Sequence, residues 1–143
     1  MTSFIHRLLQ SDWLWHLSRI LLTFMYWFAG FGFLFDFAGA TATMEMFGLH
    51  PPAVIAAITL TVQIVGSALI VFDKWVWLGA GMLATFTLAT IPTVHDFWNM
   101  TGAEAVQHRL ETQEHLSVIG GLIVVSILSH WRKLLRTQMR AMM

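Results

Sequence analysis

Four stretches of this sequence, Leu17 to Phe35, Ala53 to Phe72, Trp75 to Val94 and Leu116 to Trp131, are almost wholly apolar, and Arg19 is the only Asp, Glu, Lys or Arg within them. A helix needs about 20 apolar residues to cross the hydrocarbon of a bilayer. The pattern therefore predicts an all-α integral membrane four-helix bundle, one domain over residues 1–143 with spans near 17–36, 53–72, 75–94 and 112–131. Composition agrees: hydrophobic residues make up 57% of the chain and charged ones 11%, against about 25% charged in a soluble domain. A signal peptide ending in the small residues Ala38 to Ala42 is the competing account of the first run. That run exceeds the roughly 7–15 apolar residues of a signal core.

Orientation follows from the basic residues, which concentrate on the cytoplasmic side of membrane proteins. Arg7, Arg19, Lys74, Arg132, Lys133, Arg136 and Arg140 fall on one side of the four runs, and only Arg109 on the other. Both termini are thus expected in the cytoplasm of a bacterial cell, with the protein multi-pass in the inner membrane. Arg19 is close enough to the end of its run for its side chain to snorkel to the headgroups. Residues 3–10 place Phe4, Ile5, Leu8 and Leu9 on one helical face, which reads as a short N-terminal interfacial helix. A juxtamembrane turn of the first span is the alternative. The basic tail fixes topology and suits anionic lipid. A net charge of zero gives no field directed at nucleic acid. With no cysteine in the chain, thiol redox chemistry and thiolate metal sites are excluded.

The fourth run has sixteen residues, roughly 24 Å of helix at 1.5 Å per residue. It is short of a crossing by about one turn, so it is expected to draw in Glu114 and His115 and to turn them to the bundle interior. Asp36 leaves the first span at the same level, His95 and Asp96 leave the third, and His50 precedes the second. The segment from His108 to His115 lacks Gly and Pro and is expected to carry the last helix outward, with His108, Glu111 and His115 on one face. Imidazoles and a carboxylate so spaced, with His95, form a nitrogen and oxygen donor set for zinc, iron or copper. A structural polar cap serves the same residues without metal. A quinone site is the third reading: His95, Phe97, Trp98, Asp36, Glu114 and His115 offer hydrogen-bonding groups and an aromatic wall. An interfacial aromatic belt accounts equally for the rings. For haem, His95 with His115 is the first pair and His16 with His130 the second. Gln63, the strongly polar residue deepest in a span, is expected to hydrogen-bond across helices.

From Arg19 to Leu128 the sequence resembles the DoxX family of small four-span membrane proteins. The resemblance rests on Arg19 opening span one, Phe37-Ala-Gly39-Ala-Thr41, Met46-Phe-Gly48-Leu-His-Pro51-Pro, Gln63-Ile-Val-Gly66, His95-Asp-Phe97-Trp and Gly120-Gly121-Leu. Where many members carry a lysine after span one, an acid in span two and a Lys-Asn pair before the last span, this chain has Asp36, Gln63 and Glu114-His115. The resemblance implies association with membrane redox systems, in some cases as the small subunit of a quinone-linked oxidoreductase. Three functions stand open: an accessory subunit of a quinone-linked or respiratory oxidoreductase, with partner subunits or a second copy; a self-contained metal or haem enzyme; and a small transporter or channel. The last is disfavoured by the scarcity of buried polar residues along the spans.

Overall fold

The structure, a computed structural model, describes residues 2–142. Seven α-helices follow one another: α1 Thr2–Leu9, α2 Asp12–Leu22, α3 Phe24–Phe35, α4 Phe37–Met46, α5 Pro52–Val71, α6 Val76–Val94 and α7 Gly102–Ala141. A one-turn 3-10 helix at Phe97–Asn99 links the last two, and there is no strand among the described residues. Three helices are long and apolar enough to cross a membrane, or four crossings result if α2 and α3 count as one bent span.

The first apolar run is therefore not one straight rod. It breaks at Thr23, where α2 and α3 meet at 53°. The Thr23 hydroxyl is fully buried and donates to the Arg19 carbonyl at 2.8 Å, the back-bonding that bends helices at Ser and Thr. α2 packs on α5 and α7, and α3 packs on α5.

The second and third runs form an antiparallel pair, α5 with α6, held backbone to backbone. The buried stripe of α5 is Ala56, Thr59, Gln63, Gly66, Ser67 and Ile70, small or polar at most positions, as in helices that approach closely inside a bilayer. A Cβ on Gly79 would lie 2.6 Å from the Gly66 carbonyl oxygen. Of the paired glycines in the other spans, Gly30 lies against Ile64 and Gln63 and Gly121 against Leu22, while Gly32, Gly81 and Gly120 meet nothing within 4 Å. The turn between α5 and α6 sets Asp73 at φ 58° and Trp75 at φ 50°, a left-handed conformation uncommon for residues with a Cβ.

Residues 36–52, between the first two apolar runs, hold α4. Asp36 caps it, its carboxylate accepting from Gly39 N at 2.9 Å, and Ala40 and Met44 bury themselves against Ala56. The last helix corrects the sequence reading most. α7 is 40 residues long, about 60 Å at 1.5 Å per residue, so it is twice the length a crossing of about 30 Å requires.

The exterior is oily, and the interior holds polar side chains beside an apolar core of Tyr26, Ile70, Leu83 and Leu122. Phe28, Phe35, Trp77, Leu88 and Ile123 are each more than half exposed, whereas Arg19, Thr23, Gln63, Ser67, Thr87 and Ser129 are buried. This inversion suits lipid, where apolar surface needs no burial and polar groups must find partners inside. Tyr26 and Thr87 do so through a hydroxyl pair joining α3 to α6. Gln63 does not: its Oε1 has no hydrogen-bond partner, because the facing residue is Gly30, which has no side chain to offer.

Candidate functional site

Ionisable side chains gather at both ends of the bundle. At the end where α6 runs into α7, Pro92 stands in the last turn of α6, and the helix stops at His95, whose backbone N–H still bonds to Thr90 and Ile91. The 3-10 turn then reverses the chain, and Gly102 at φ 67° opens α7. The antiparallel return lays the first turns of α7 alongside the end of α6. His95 thereby meets His108, Glu111 and His115, which share one face of α7.

The distances are short. His95 Nδ1 lies 2.9 Å from His108 Nδ1 and 3.0 Å from Glu111 Oε2, and His108 Nδ1 lies 3.6 Å from the same oxygen. Two nitrogens and a carboxylate oxygen thus form a triangle within which His95 is buried and its partners half-buried. Ligands bound tetrahedrally at the usual zinc distances of 2.0–2.1 Å stand about 3.3 Å apart, and the three edges straddle that value. The His115 ring is set edge-on to His95 with centroids 4.8 Å apart. Its Nδ1 is 2.7 Å from the Glu111 carbonyl oxygen; an N–H donated there leaves Nε2 as the free acceptor. Gln107 Nε2 donates to Glu111 Oε1 at 3.0 Å and steadies the carboxylate.

The other residues of the expected polar ring lie apart from this triangle. Glu114 is exposed rather than turned to the interior, because the continuous helix puts it on a different face from Glu111, and it lines a shallow apolar cleft with Leu110 and Val118. Asp36 is the cap of α4, and His50 is exposed before α5. Phe97 and Trp98 follow His95 after Asp96, packed edge to face at 5.2 Å, with Trp98 more than half exposed. Of the haem pairs, His95 and His115 are neighbours through their rings. His16 instead has Nδ1 at 2.6 Å from an Arg19 guanidinium nitrogen, and exposed His130 lies on α7.

At the opposite end sits a network that the sequence reading did not anticipate. Arg19 does not snorkel to the headgroups; it is fully buried. It donates to the Ile70 carbonyl at 3.0 Å and pairs with Asp73 at 3.2 Å. Asp73 also accepts from Ser129 Oγ at 2.7 Å, and its carbonyl accepts from Lys133 at 3.0 Å. Trp15 lies between the guanidinium groups of Arg19 and Arg132, each about 5 Å from its ring. Asp12 receives Arg132 and Arg136. The signal was present: Arg19 enters span one and Asp73 leaves span two, so opposite charges meet at one level of an antiparallel pair.

Helices with oily exteriors, polar side chains buried between them and ionisable clusters at the ends define a multi-pass α-helical membrane protein. The family model for DoxX matches residues 14–96, more than half of the chain, and the chain belongs to the DoxX family. It is also similar to the inner membrane protein YphA of Escherichia coli (strain K12), 23% identical over 111 residues that cover 78% of this chain and 79% of YphA. It is an inner-membrane protein. No solved structure matches it. The family match ends at Asp96, so His108, Glu111 and His115 lie beyond it.

Proposed function

We propose that this chain crosses the inner membrane four times with both termini in the cytoplasm, and that its outer end binds one divalent transition metal ion through His95, His108 and Glu111, with His115 as the fourth donor. The observation that carries the reading is the triangle of donor atoms, every pair within 4.8 Å. All three come from imidazole and carboxylate, the donors that suit zinc, copper and iron. Charge supports the orientation: the seven basic residues of the other end stand against two carboxylates there, Asp12 and Asp73. Counting α2 and α3 as one bent crossing gives the even number that both-ends-inside requires.

The test is a calorimetric titration of Zn2+ into the purified full-length protein. One ion per chain is expected, with His108→Ala and Glu111→Gln each weakening binding by at least tenfold. A titration without saturable binding, or one unaltered by both substitutions, contradicts the site.

A second reading makes the same end the membrane part of a quinone-linked or respiratory oxidoreductase. The observation that favours it is the Phe97 and Trp98 pair two residues beyond His95, an aromatic flank for a ring approaching from lipid. Gentle extraction followed by mass spectrometry tests it. Co-purifying redox subunits are expected, and a protein isolated alone and uniform counts against it.

A further inference from the structure

The face between α6 and α7 carries two cavities with no role in the outer cluster. One, of about 440 Å³, lies beside the Asp73 turn and is lined by Val76, Ser129, His130, Trp131 and Lys133. The other, of about 240 Å³, continues along the same helices over Ala80, Gly81, Ala84, Leu122 and Ile123. They share Trp77, Ser126 and Ile127, so they form one groove.

The groove is polar at one end and apolar along its length. From Lys133 to Leu122 it follows about 16 Å of α7 at 1.5 Å per residue, close to the half-thickness of a hydrocarbon core of about 30 Å. Small residues make its floor, and a Cβ on Gly81 would meet nothing within 4 Å. Trp77 and Trp131 stand exposed at its mouth, the position tryptophan takes at headgroup level. Lys133 gives one N–H to the Asp73 carbonyl and forms no ion pair among the described residues, which leaves two donors of its ammonium group for an anion. Asp12 and Asp73, the carboxylates of this end, are already engaged by Arg132, Arg136 and Arg19.

We infer that this groove holds one anionic phospholipid of the adjacent leaflet, its phosphate at Lys133 and His130 between the tryptophans and one acyl chain laid over Gly81 and Ala84. The length matches one leaflet, and the basic excess selects the headgroup. Part of the lipid annulus is thereby a fixed component of the α6 and α7 seam. The site does not depend on metal binding at the outer end.

Native mass spectrometry of the full chain in mild detergent tests this, with phosphatidylglycerol and phosphatidylcholine of identical acyl chains added in parallel and inorganic phosphate as competitor. Phosphatidylglycerol is expected to be retained about fivefold more than phosphatidylcholine, the advantage of one lysine near the headgroup. Gly81→Leu should fill the acyl groove and reduce retention of both lipids, and Lys133→Gln should remove the preference by lowering retention of phosphatidylglycerol more than that of phosphatidylcholine. Ser126→Leu serves as the second groove-filling variant if Gly81→Leu does not fold. Equal retention of the two lipids by the unaltered chain overturns the inference. So does retention that a folded groove-filling variant leaves unchanged, or displacement of the lipid by phosphate, which indicates an anion site without an acyl groove.

Discussion

The two ends of the bundle use the same kinds of side chain in opposite ways. At the basic end Arg19 is fully buried, pairs with Asp73 and reaches the Ile70 carbonyl, so its charge is compensated within the protein. At the other end three histidines meet around a single carboxylate, Glu111, with two ring nitrogens 2.9 Å apart. Two histidines in that contact share at most one proton between the facing atoms, and an added cation relieves the crowding. The first arrangement locks helices together, and the second is poised to receive something.

The largest effect is expected at the lock. Arg19→Leu leaves Asp73, whose side chain is 25% exposed, with Ser129 as its remaining side-chain partner, so the cost should approach but not exceed about 3–5 kcal/mol, that of breaking a fully buried pair. Unfolding in mixed micelles should show that loss, and Arg19→Leu with Asp73→Asn should recover part of it. If the double variant is as unstable as the sum of the singles, the pair is not coupled. A smaller effect separates two glycines of one helix. Gly79→Ala forces a methyl against the Gly66 carbonyl oxygen and should cost about 1–3 kcal/mol. Gly81→Ala enters open space and should stay within about 0.5 kcal/mol. Equal costs would mean that the close approach of α5 and α6 is not what the structure shows.

The outer cluster should be the most tolerant in the absence of metal. His108→Ala is expected to change stability by about 1 kcal/mol or less, the scale of one hydrogen bond. With Zn2+ at a hundred times its dissociation constant the unaltered protein should gain about 2.7 kcal/mol, and the variant, which binds at least tenfold more weakly, should gain about 1.4 kcal/mol or less. Thermal unfolding with and without the ion reads both numbers. An equal gain in the variant would remove His108 from the site.

Much of the fold was legible because lipid imposes simple rules. Apolar runs placed α5 and α6 within a residue or two of their bounds, and the uninterrupted segment from His108 predicted the outward continuation of α7. The bend at Thr23 was not legible, since a buried hydroxyl turned back on Arg19 leaves no mark in hydropathy. The helix α4 was missed because its Ala, Gly and Thr residues read as a loop until Asp36 is seen to cap them. At the site, helical spacing singled out His108, Glu111 and His115, and the antiparallel return brought His95 to them. Glu114 and Asp36 were grouped with them by level alone, and level does not say which face of a helix a side chain occupies. Arg19 was misjudged for a related reason. Its distance from the end of the run permits snorkelling, and only the position of Asp73 in the turn after α5 shows why it turns inward.

The contrast between a compensated end and a receptive one is tested most directly by zinc X-ray absorption on the loaded full-length protein. The account predicts a shell of nitrogen and oxygen alone at about 2.0–2.1 Å, with the outer scattering of more than one imidazole, and a weakening of that scattering in His95→Ala and in His108→Ala, each of which removes one imidazole. A fully hydrated ion, or an imidazole signal undiminished in either variant, would contradict it.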